Sequence, residues 1–326
     1  MSNMPFMSGP RVSMNHRIYS VFTLRSGLRA VGSIARHMRR SAMKHPSRSA
    51  RHRAGSIAAA LAGVVAMTLA PTTAMASPPT SEEVGGSVAH HRYFSENLGA
   101  ESGVVVYTPP QYDARRPLPV LYIAPGGCRD EEHWFTIPGV DAESLDAVFH
   151  SGDAEPMIIV SVNGSVGSDL FESPLADPFP TELVDSVVPF VDAHYATIPN
   201  GRHRALAGNS CGGIQVLNTL IQYPGAFSEI GLWSTGWFPS TLESFATDPA
   251  LAATLESPRL EHGTRYLEAR VGADDFLAGP NLQATADFLA TEAGIETPTF
   301  EAIPGIGHDD EAGRLALFGG LKSFFD

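Results

Sequence analysis

The amino-acid sequence predicts an α/β protein with a mostly parallel central sheet and helices on both faces. Two observations predict this fold class. Short runs rich in Val, Ile, Leu and Tyr recur after residue 100, and their successive apolar positions are typical of strands covered on both faces. Segments with the helical spacing of apolar residues lie between the later runs. Such alternation indicates strands joined by right-handed crossovers in an open sheet.

Each candidate element is bounded by glycine, proline or short polar stretches. The candidate strands, in chain order, are Val104–Tyr107, Pro119–Ala124, Met157–Val162, Arg204–Gly208, Glu229–Ser234, Tyr266–Val271 and Thr299–Ile303. The candidate helices are Thr181–Tyr195, Gly212–Tyr223, Asn281–Ala293 and Glu311–Phe325. Ligands of open α/β sheets bind at the carboxyl ends of the strands. Functional residues are therefore expected in the loops that follow these runs.

The first 76 residues differ in composition from the rest of the chain. They contain half of the 22 Lys and Arg residues and none of the 35 Asp and Glu residues. An apolar run from Ser56 to Ala70 and a small-x-small sequence, Ala74-Met75-Ala76, follow the basic stretch and are typical of a signal peptide. We predict a signal peptide with a long basic n-region over residues 1–76 and one domain over residues 77–326. An uncleaved membrane anchor is the alternative, although the run is shorter than the roughly 20 residues of a comfortable span.

The rest of the chain is strongly acidic, because all 35 Asp and Glu residues lie in it with only half of the basic ones. Nucleic acids and anionic membranes bind surfaces of positive potential. The charge therefore argues against a nucleic-acid partner, and we expect no stable membrane insertion after signal cleavage. A secreted protein is predicted, and its oligomeric state is left open.

A serine between glycines marks the end of one candidate strand. The sequence Gly208-Asn209-Ser210-Cys211-Gly212 has the G-x-S-x-G pattern of a sharp strand-to-helix turn, at which side chains on the flanking positions would collide with backbone. Such a turn exposes the serine hydroxyl as a nucleophile. An ordinary glycine turn is the alternative, so the interpretation depends on a base, an acid and an oxyanion site elsewhere.

A histidine and a pair of aspartates follow the last two candidate strands. His308 lies between Thr299–Ile303 and the final helix, where a general base is expected if the chain order is Ser, acid, His. Asp274 and Asp275 follow the strand before it. A buried carboxylate there would hold the imidazole in one tautomer. We favour Asp275 and expect the other aspartate to cap the next helix; a surface or capping role is the alternative for His308.

The oxyanion of an acyl-transfer reaction needs backbone N–H donors in a loop of small residues facing the serine. Gly126 and Gly127 follow the strand Pro119–Ala124 and fit this need. The second donor would be the N–H of Cys211, at the start of the helix after the serine, where the helix dipole favours negative charge. A plain glycine turn is the alternative for the first loop.

These motifs in this order resemble the putative-esterase family of α/β hydrolases. The resemblance rests on Tyr107–Trp134, on the helix E-L-V-D-S-V-V-P-F-V-D-A-H-Y, and on G-N-S-C-G-G, G-A-D-D-F-L and the late G-H. That family includes feruloyl and acetyl-xylan esterases, enterochelin esterases, the esterase D type and mycobacterial mycolyltransferases. The resemblance implies an α/β-hydrolase fold with a short cap insertion and no metal or organic cofactor. It implies Ser210 as nucleophile, Asp275 as acid, His308 as base, and Gly127 with Cys211 as oxyanion donors.

This chain departs from the family pattern near the expected acyl pocket. Many relatives have H-G-G where it has Pro125-Gly126-Gly127, and many have Leu and Met where it has Asn209 and Cys211. The triad positions are unaffected. The shape of the pocket, and with it the substrate, is left open.

The chain contains two cysteines, Cys128 after the oxyanion loop and Cys211 after the nucleophile. The expected fold brings both beside the oxyanion hole. An even count in an exported protein favours a disulfide between them, and two buried thiols packed as apolar residues are the alternative.

The segment from Gly236 to Gly263 is too long for a simple strand-to-helix connection, and we expect it to cap the site. Trp237, Phe238 and Phe245 are candidates to line an acyl or aromatic pocket. Packing of the cap onto the body of the domain is the alternative for these side chains.

Together these observations predict a secreted serine hydrolase that cleaves carboxylic esters through a Ser-His-Asp triad and an acyl-enzyme intermediate. The expected substrate is a small-molecule or polysaccharide-linked ester. An acyltransferase of the mycolyltransferase type is the first alternative. A non-catalytic binding protein on the same fold is the second.

Overall fold

A mixed sheet of eight strands organises the described part of the chain, which comprises residues 85–167, 171 and 173–326 of the computed structural model. The strand order is β1-β2-β4-β3-β5-β6-β7-β8. β2 pairs antiparallel with both β1 and β4, and all other pairs are parallel. The strands are β1 (Ser87–Ser95), β2 (Ala100–Thr108), β3 (Val120–Ala124), β4 (Ile158–Val162), β5 (Arg204–Asn209), β6 (Glu229–Trp233), β7 (Tyr266–Gly272) and β8 (Thr299–Ile303). The predicted signal peptide lies outside the described residues.

Helices cover both faces of this sheet and confirm the predicted fold class. They are α1 (Ala142–Ser151), α2 (Phe179–Glu182), α3 (Val188–His194), α4 (Cys211–Gln222), α5 (Pro239–Thr247), α6 (Pro249–Leu255), α7 (Pro258–Gly263), α8 (Gly279–Ala293) and α9 (Asp310–Leu321). The helix predicted over 181–195 is interrupted, because one wide turn, Leu183–Val187, separates α2 from α3. No helix in the described residues is both long enough and apolar enough to span a bilayer.

Two buried layers hold the helices to the sheet. Alternate side chains of one strand enter different layers: Tyr122 packs with α4 and α8, whereas Leu121 and Ile123 pack with α1 and α9. This alternation follows from the two-residue period of a strand. It explains why β3 is apolar at every position.

The two edges of the sheet differ from the sequence prediction. β1 was not predicted, because its histidines, Arg92 and serines do not form an apolar run; it pairs along its whole length with β2. β8 was predicted to be covered on both faces, but its three central residues are exposed. An edge strand is bonded on one side only, so it needs less cover than a central one.

The parallel register brings the ends of several strands together. Ala124 pairs with Gly208, Asn209 with Trp233, and Gly272 with Ile303. The loops after β3, β5, β6, β7 and β8 therefore leave the same edge of the sheet. All the residues singled out from the sequence lie in those loops or directly beside them.

The segment between β6 and β7 forms three short helices, α5 to α7, each beginning at a proline. Proline suits a first helical position, because the N–H it lacks has no acceptor there. Phe245 of α5 and Leu251 of α6 are buried in the same layer as α4 and α8. The predicted insertion is thus packed onto the domain.

We expect acid to destabilise the fold partly through His91 on β1. Burial lowers the pKa of His91 below its ordinary 6.5, and the neighbouring His194 and His90 lower it further. The unfolded chain then binds this proton more readily than the folded one, so the free energy of unfolding falls as the pH drops below about 6.5. Urea unfolding measures this at about pH 7.5 and pH 5. Between these pH values the free energy of unfolding should fall less for the His91→Gln variant than for the wild type. His262→Gln, an exposed site on α7, is the control; an equal loss in all three proteins contradicts the expectation.

Candidate active site

Ser210 lies at a strained turn between β5 and α4. Its backbone has φ 51° and ψ −116°, a conformation that is unfavourable for a residue with a side chain. Two neighbours hold it there. The N–H of Ser210 donates to the carbonyl of Trp233 over 2.8 Å, and the hydroxyl of Thr235 donates to the carbonyl of Ser210 over 2.7 Å. The end of β6 therefore fixes the turn.

The glycines around Ser210 are required by close backbone approach. A Cβ on Gly208 would lie 2.5 Å from the carbonyl of Gly212. A Cβ on Gly212 would lie 2.4 Å from the carbonyl oxygen of Ala124. These are contacts with backbone that cannot turn aside, so the G-x-S-x-G spacing has a direct steric reason.

We expect Gly208→Ala to destabilise the domain by at least about 1–3 kcal/mol, the usual cost of forcing extra volume into a packed site. Gly307→Ala is the matched control, since nothing lies within 4 Å of its added Cβ. Chemical denaturation of both variants tests the difference. Equal unfolding midpoints would show that the turn accommodates a side chain.

Ser210, His308 and Asp275 form one hydrogen-bonded series. The hydroxyl oxygen of Ser210 lies 2.8 Å from Nε2 of His308, and Nδ1 of His308 lies 2.8 Å from Oδ2 of Asp275. The Asp275 side chain is fully buried, and the His308 side chain is 28% exposed. The structure thus brings together the three residues that the sequence singles out, in the order that serine chemistry requires.

Asp275 is held by its own loop. Its Oδ1 accepts hydrogen bonds from the N–H groups of Leu277, at 3.1 Å, and Ala278, at 2.8 Å. The expectation that Asp274 caps the next helix is wrong, because Asp274 is exposed and α8 begins after Ala278 without a side-chain cap. One carboxylate therefore uses one oxygen for its loop and the other for His308.

The loop that carries His308 packs directly against the loop that carries Asp275. A Cβ on Gly272 would lie 2.2 Å from the carbonyl oxygen of Ile306. The N–H of Asp274 donates to that same carbonyl over 2.9 Å. A glycine at the end of β7 thus allows the two loops to approach closely enough for the Asp275–His308 bond.

The predicted oxyanion loop is a short turn, Gly126–Cys128, directly after β3. Gly127 is exposed and has φ +66°, a left-handed value that suits glycine. The N–H of Cys211 lies at the first position of α4, where a helix offers it no internal acceptor. A disulfide joins Cys128 to Cys211, with Cα atoms 5.3 Å apart, so both predicted donor segments lie beside the serine.

A small cleft opens beside Ser210. Its volume is about 40 Å³, far below the roughly 300–1,000 Å³ of a typical ligand pocket. A larger acyl group would therefore extend to the rim, which carries the partly exposed Phe238 and Leu277. The lining residues are Ser210, Ile214, Ser234, Thr235, Gly236, Phe238, Leu277, Ala278, Asn281 and His308.

Of the three pocket candidates from the sequence, Phe238 lies at the cleft, whereas Trp237 and Phe245 are buried. Phe238 lines the cleft and lies 6.1 Å, ring to ring, from the exposed Phe171. Trp237 is 1% exposed and does not line the cleft within the described part of the chain. Its ring packs 5.0 Å from Phe245, and its Nε1 donates to Asn218 over 3.0 Å. Trp237 therefore packs within the domain, which was the alternative to a position in the pocket.

Sequence reasoning missed several residues of the cleft. Phe276, which is 86% exposed, and Leu277 directly follow Asp275, and two large apolar residues after a pair of aspartates were a usable signal. Thr235 and Asn281 gave no signal, because each reaches the site only through the packing of β6 and α8. A larger groove of about 730 Å³ lies at the far end of α4, between Tyr223 and His262. It is remote from Ser210.

Comparison with known proteins matches residues 95–308 to the family described as putative esterase. The chain belongs to the putative esterase family. The resemblance seen in the sequence is thereby confirmed. The matched range includes Ser210, Asp275 and His308.

Two curated relatives of this family member are named as xylanases, and one of them is also named as a feruloyl esterase. An endo-1,4-β-xylanase/feruloyl esterase of Xylanibacter ruminicola is 27% identical over 161 residues, covering 47% of this chain and 22% of the relative. Endo-1,4-β-xylanase Y of Acetivibrio thermocellus is 25% identical over 182 residues, covering 52% of this chain and 16% of the relative. The chain thus spans about a fifth of the length of these proteins. Family and relatives together support assignment to the carboxylic ester hydrolases.

Solved structures confirm the α/β-hydrolase fold. The feruloyl esterase module of Clostridium thermocellum, in a variant complexed with sinapinate, superimposes with a TM-score of 0.61 at 19% identity, covering 76% of this chain and 93% of the module. The enterobactin esterase of Shigella flexneri superimposes with a TM-score of 0.56 at 19% identity, covering 73% of this chain and 58% of that enzyme. At this identity the likeness concerns the fold.

Proposed function

We propose that this family member is an exported serine hydrolase that cleaves carboxylic esters through an acyl-enzyme, and that residues 77–326 are its catalytic domain. The observation that carries the proposal is the series Ser210–His308–Asp275, with 2.8 Å at each of its two hydrogen bonds. A buried carboxylate behind an imidazole that contacts a serine hydroxyl is the arrangement that activates such a nucleophile.

In the first half-reaction, the Ser210 oxygen attacks the ester carbonyl while Nε2 of His308 accepts the serine proton. Asp275 keeps the Nδ1–H of His308 oriented and stabilises the imidazolium that forms. The negative charge on the carbonyl oxygen is stabilised by the N–H groups of Gly127 and Cys211. Collapse of the intermediate breaks the bond to the alcohol, which leaves with the proton from His308.

In the second half-reaction, water attacks the acyl-enzyme and gives one proton to His308. The carboxylic acid is released when that proton returns to the Ser210 oxygen.

The substrate we propose is a small-molecule or polysaccharide-linked ester with an apolar acyl group. Support comes from the cleft, which is small at Ser210 and is lined by Phe238, near Phe171, and by Leu277. A feruloyl esterase among the relatives is consistent with this class. The predicted signal peptide over residues 1–76 implies that the reaction takes place outside the cell.

The test is covalent labelling of purified residues 77–326 with a fluorophosphonate, followed by intact mass and peptide mapping. One adduct on Ser210, lost in the His308→Ala variant, is expected because only an activated serine attacks phosphorus readily. A panel of esters with acyl groups of increasing size then defines the substrate. The absence of an adduct on the folded protein would favour the non-catalytic binding protein instead.

Hydrolysis and acyl transfer are separated by the fate of the acyl group. Incubation with an active ester and an excess of trehalose should yield the free acid if water is the acceptor. Acylated trehalose as the main product would instead favour the acyltransferase alternative.

A further inference from the structure

We propose that the Cys128–Cys211 disulfide is a positioning element of the oxyanion hole, and that its main contribution is to turnover. The inference rests on the proposed function, because it concerns how the two backbone donors of that reaction are held relative to each other. It assigns a role in the reaction to two side chains that do not themselves touch the substrate.

The disulfide joins the two predicted donor sites almost directly. Cys128 is the residue after Gly127, and Cys211 is the residue after Ser210 and carries the second donor on its own backbone. Their Cα atoms are 5.3 Å apart although 83 residues separate them along the chain. The chain has two cysteines in all, so this bond is the one disulfide it can form within itself.

The two segments differ in how firmly the rest of the fold holds them. The turn at Ser210 is buried on the side of β6 and is anchored at both its N–H and its carbonyl by Trp233 and Thr235. Gly127 in the oxyanion loop is exposed, and Cys128 is half-buried. The disulfide therefore connects the less protected segment to the rigid one.

The backbone conformation of Cys128 is also unfavourable, so contacts with its surroundings must hold it. Its φ is 48°, in the left-handed region that a residue with a Cβ seldom adopts. Outside the disulfide, two hydrogen bonds reach the backbone carbonyls at this end of the loop. The Ser165 hydroxyl donates to the carbonyl of Cys128 over 2.6 Å, and the N–H of Gly164 donates to the carbonyl of Arg129 over 2.9 Å. Both come from the loop after β4.

Loss of the disulfide should affect kcat much more than KM. Oxyanion donors stabilise charge that exists only in the transition state, and a misplacement of about 1 Å in such a group costs on the order of 100-fold in rate. We expect kcat to fall by about 10- to 100-fold, with KM changed by less than about twofold. A disulfide that served stability alone would leave kcat unchanged at temperatures where the protein is folded.

The experiment uses residues 77–326 and the double variant Cys128→Ala/Cys211→Ala, which keeps both backbone N–H groups. Intact mass before and after reduction comes first: a gain of two hydrogen atoms is expected, and an unchanged mass overturns the proposal. Values of kcat and KM for one active ester are then measured well below the unfolding temperature. The pH profile of kcat/KM should keep its shape, because His308 and Asp275 are untouched.

Native-state reduction provides the second measurement and replaces the double variant if that variant does not fold. Dithiothreitol supplies two electrons and two protons, the disulfide becomes two thiols, and the reagent is oxidised to its cyclic disulfide. Activity should fall while the circular dichroism spectrum is retained, and it should return on reoxidation. Activity that is unaffected by complete reduction overturns the proposal.

Phe149→Ala is the matched control for lowered stability. This residue is buried on α1 and stacks on Tyr107, which pairs with Ile159 near the amino end of β4, away from Ser210. It should lower the unfolding temperature and leave kcat within about twofold in the folded range. A similar fall of kcat in this control would show that stability explains the effect. If the oxidised wild type neither cleaves any ester nor labels at Ser210, the proposed function itself fails.

Discussion

The His308→Ala variant is expected to lose about six orders of magnitude in kcat for ester hydrolysis, close to the loss expected for Ser210→Ala. Without the imidazole 2.8 Å from the serine oxygen, nothing at the site removes the serine proton as the bond to carbon forms. The two losses should not add, because the pair acts as one unit. Steady-state hydrolysis of an activated ester by the single and double variants measures this.

His262→Ala is the control for this series, since that histidine is exposed on α7 in the groove remote from Ser210. Its kcat should equal that of the wild type. A His308→Ala protein that retained more than about a hundredth of wild-type kcat would contradict the assignment of His308 as the base.

The second large effect is expected for the Asp275→Asn variant, in which kcat should fall by about four orders of magnitude. The asparagine can keep its oxygen toward the N–H groups of Leu277 and Ala278, which hold it in place. Its NH₂ group then faces Nδ1 of His308, and Nδ1 must become the acceptor. The imidazole proton then lies on Nε2, where Ser210 needs an acceptor. The positions of the three side chains are kept, but His308 is in the wrong tautomer.

Asp274→Asn is the matched control, one residue away, exposed and with the same change of charge. It should leave kcat nearly unchanged. The thermal midpoint of Asp275→Asn should stay close to that of the wild type, because the loop bonds are kept. Equal rates in the two variants would mean that the buried aspartate has no part in orienting His308.

Ser210 and His308 could be predicted as neighbours from the sequence, with Asp275 favoured over Asp274, for a physical reason. Each follows a strand whose apolar residues mark it clearly, and parallel strands bring their carboxyl ends to one edge. The glycines at 208 and 212 add a steric requirement that can be recognised as a spacing.

Other parts of the structure depend on contacts that no local pattern encodes. Trp237 and Phe238 are adjacent aromatic residues, yet one lies in the core and the other at the cleft, because Asn218 and Thr285 hold Trp237 inward. β1 forms through pairing with β2, and its own residues alternate in exposure. The double role of Asp275 depends on the exact course of its loop. These features are set by tertiary packing and therefore appear only in the folded molecule.

The exposed edge strand β8 has a consequence for how the protein fails on heating. It is bonded to β7 alone, and its end leads directly into the loop that carries the imidazole. Strands of this kind detach in partial openings that require less free energy than unfolding of the whole domain. We therefore expect thermal inactivation to precede thermal denaturation, and to be reversible on cooling as long as the interior of the sheet is intact.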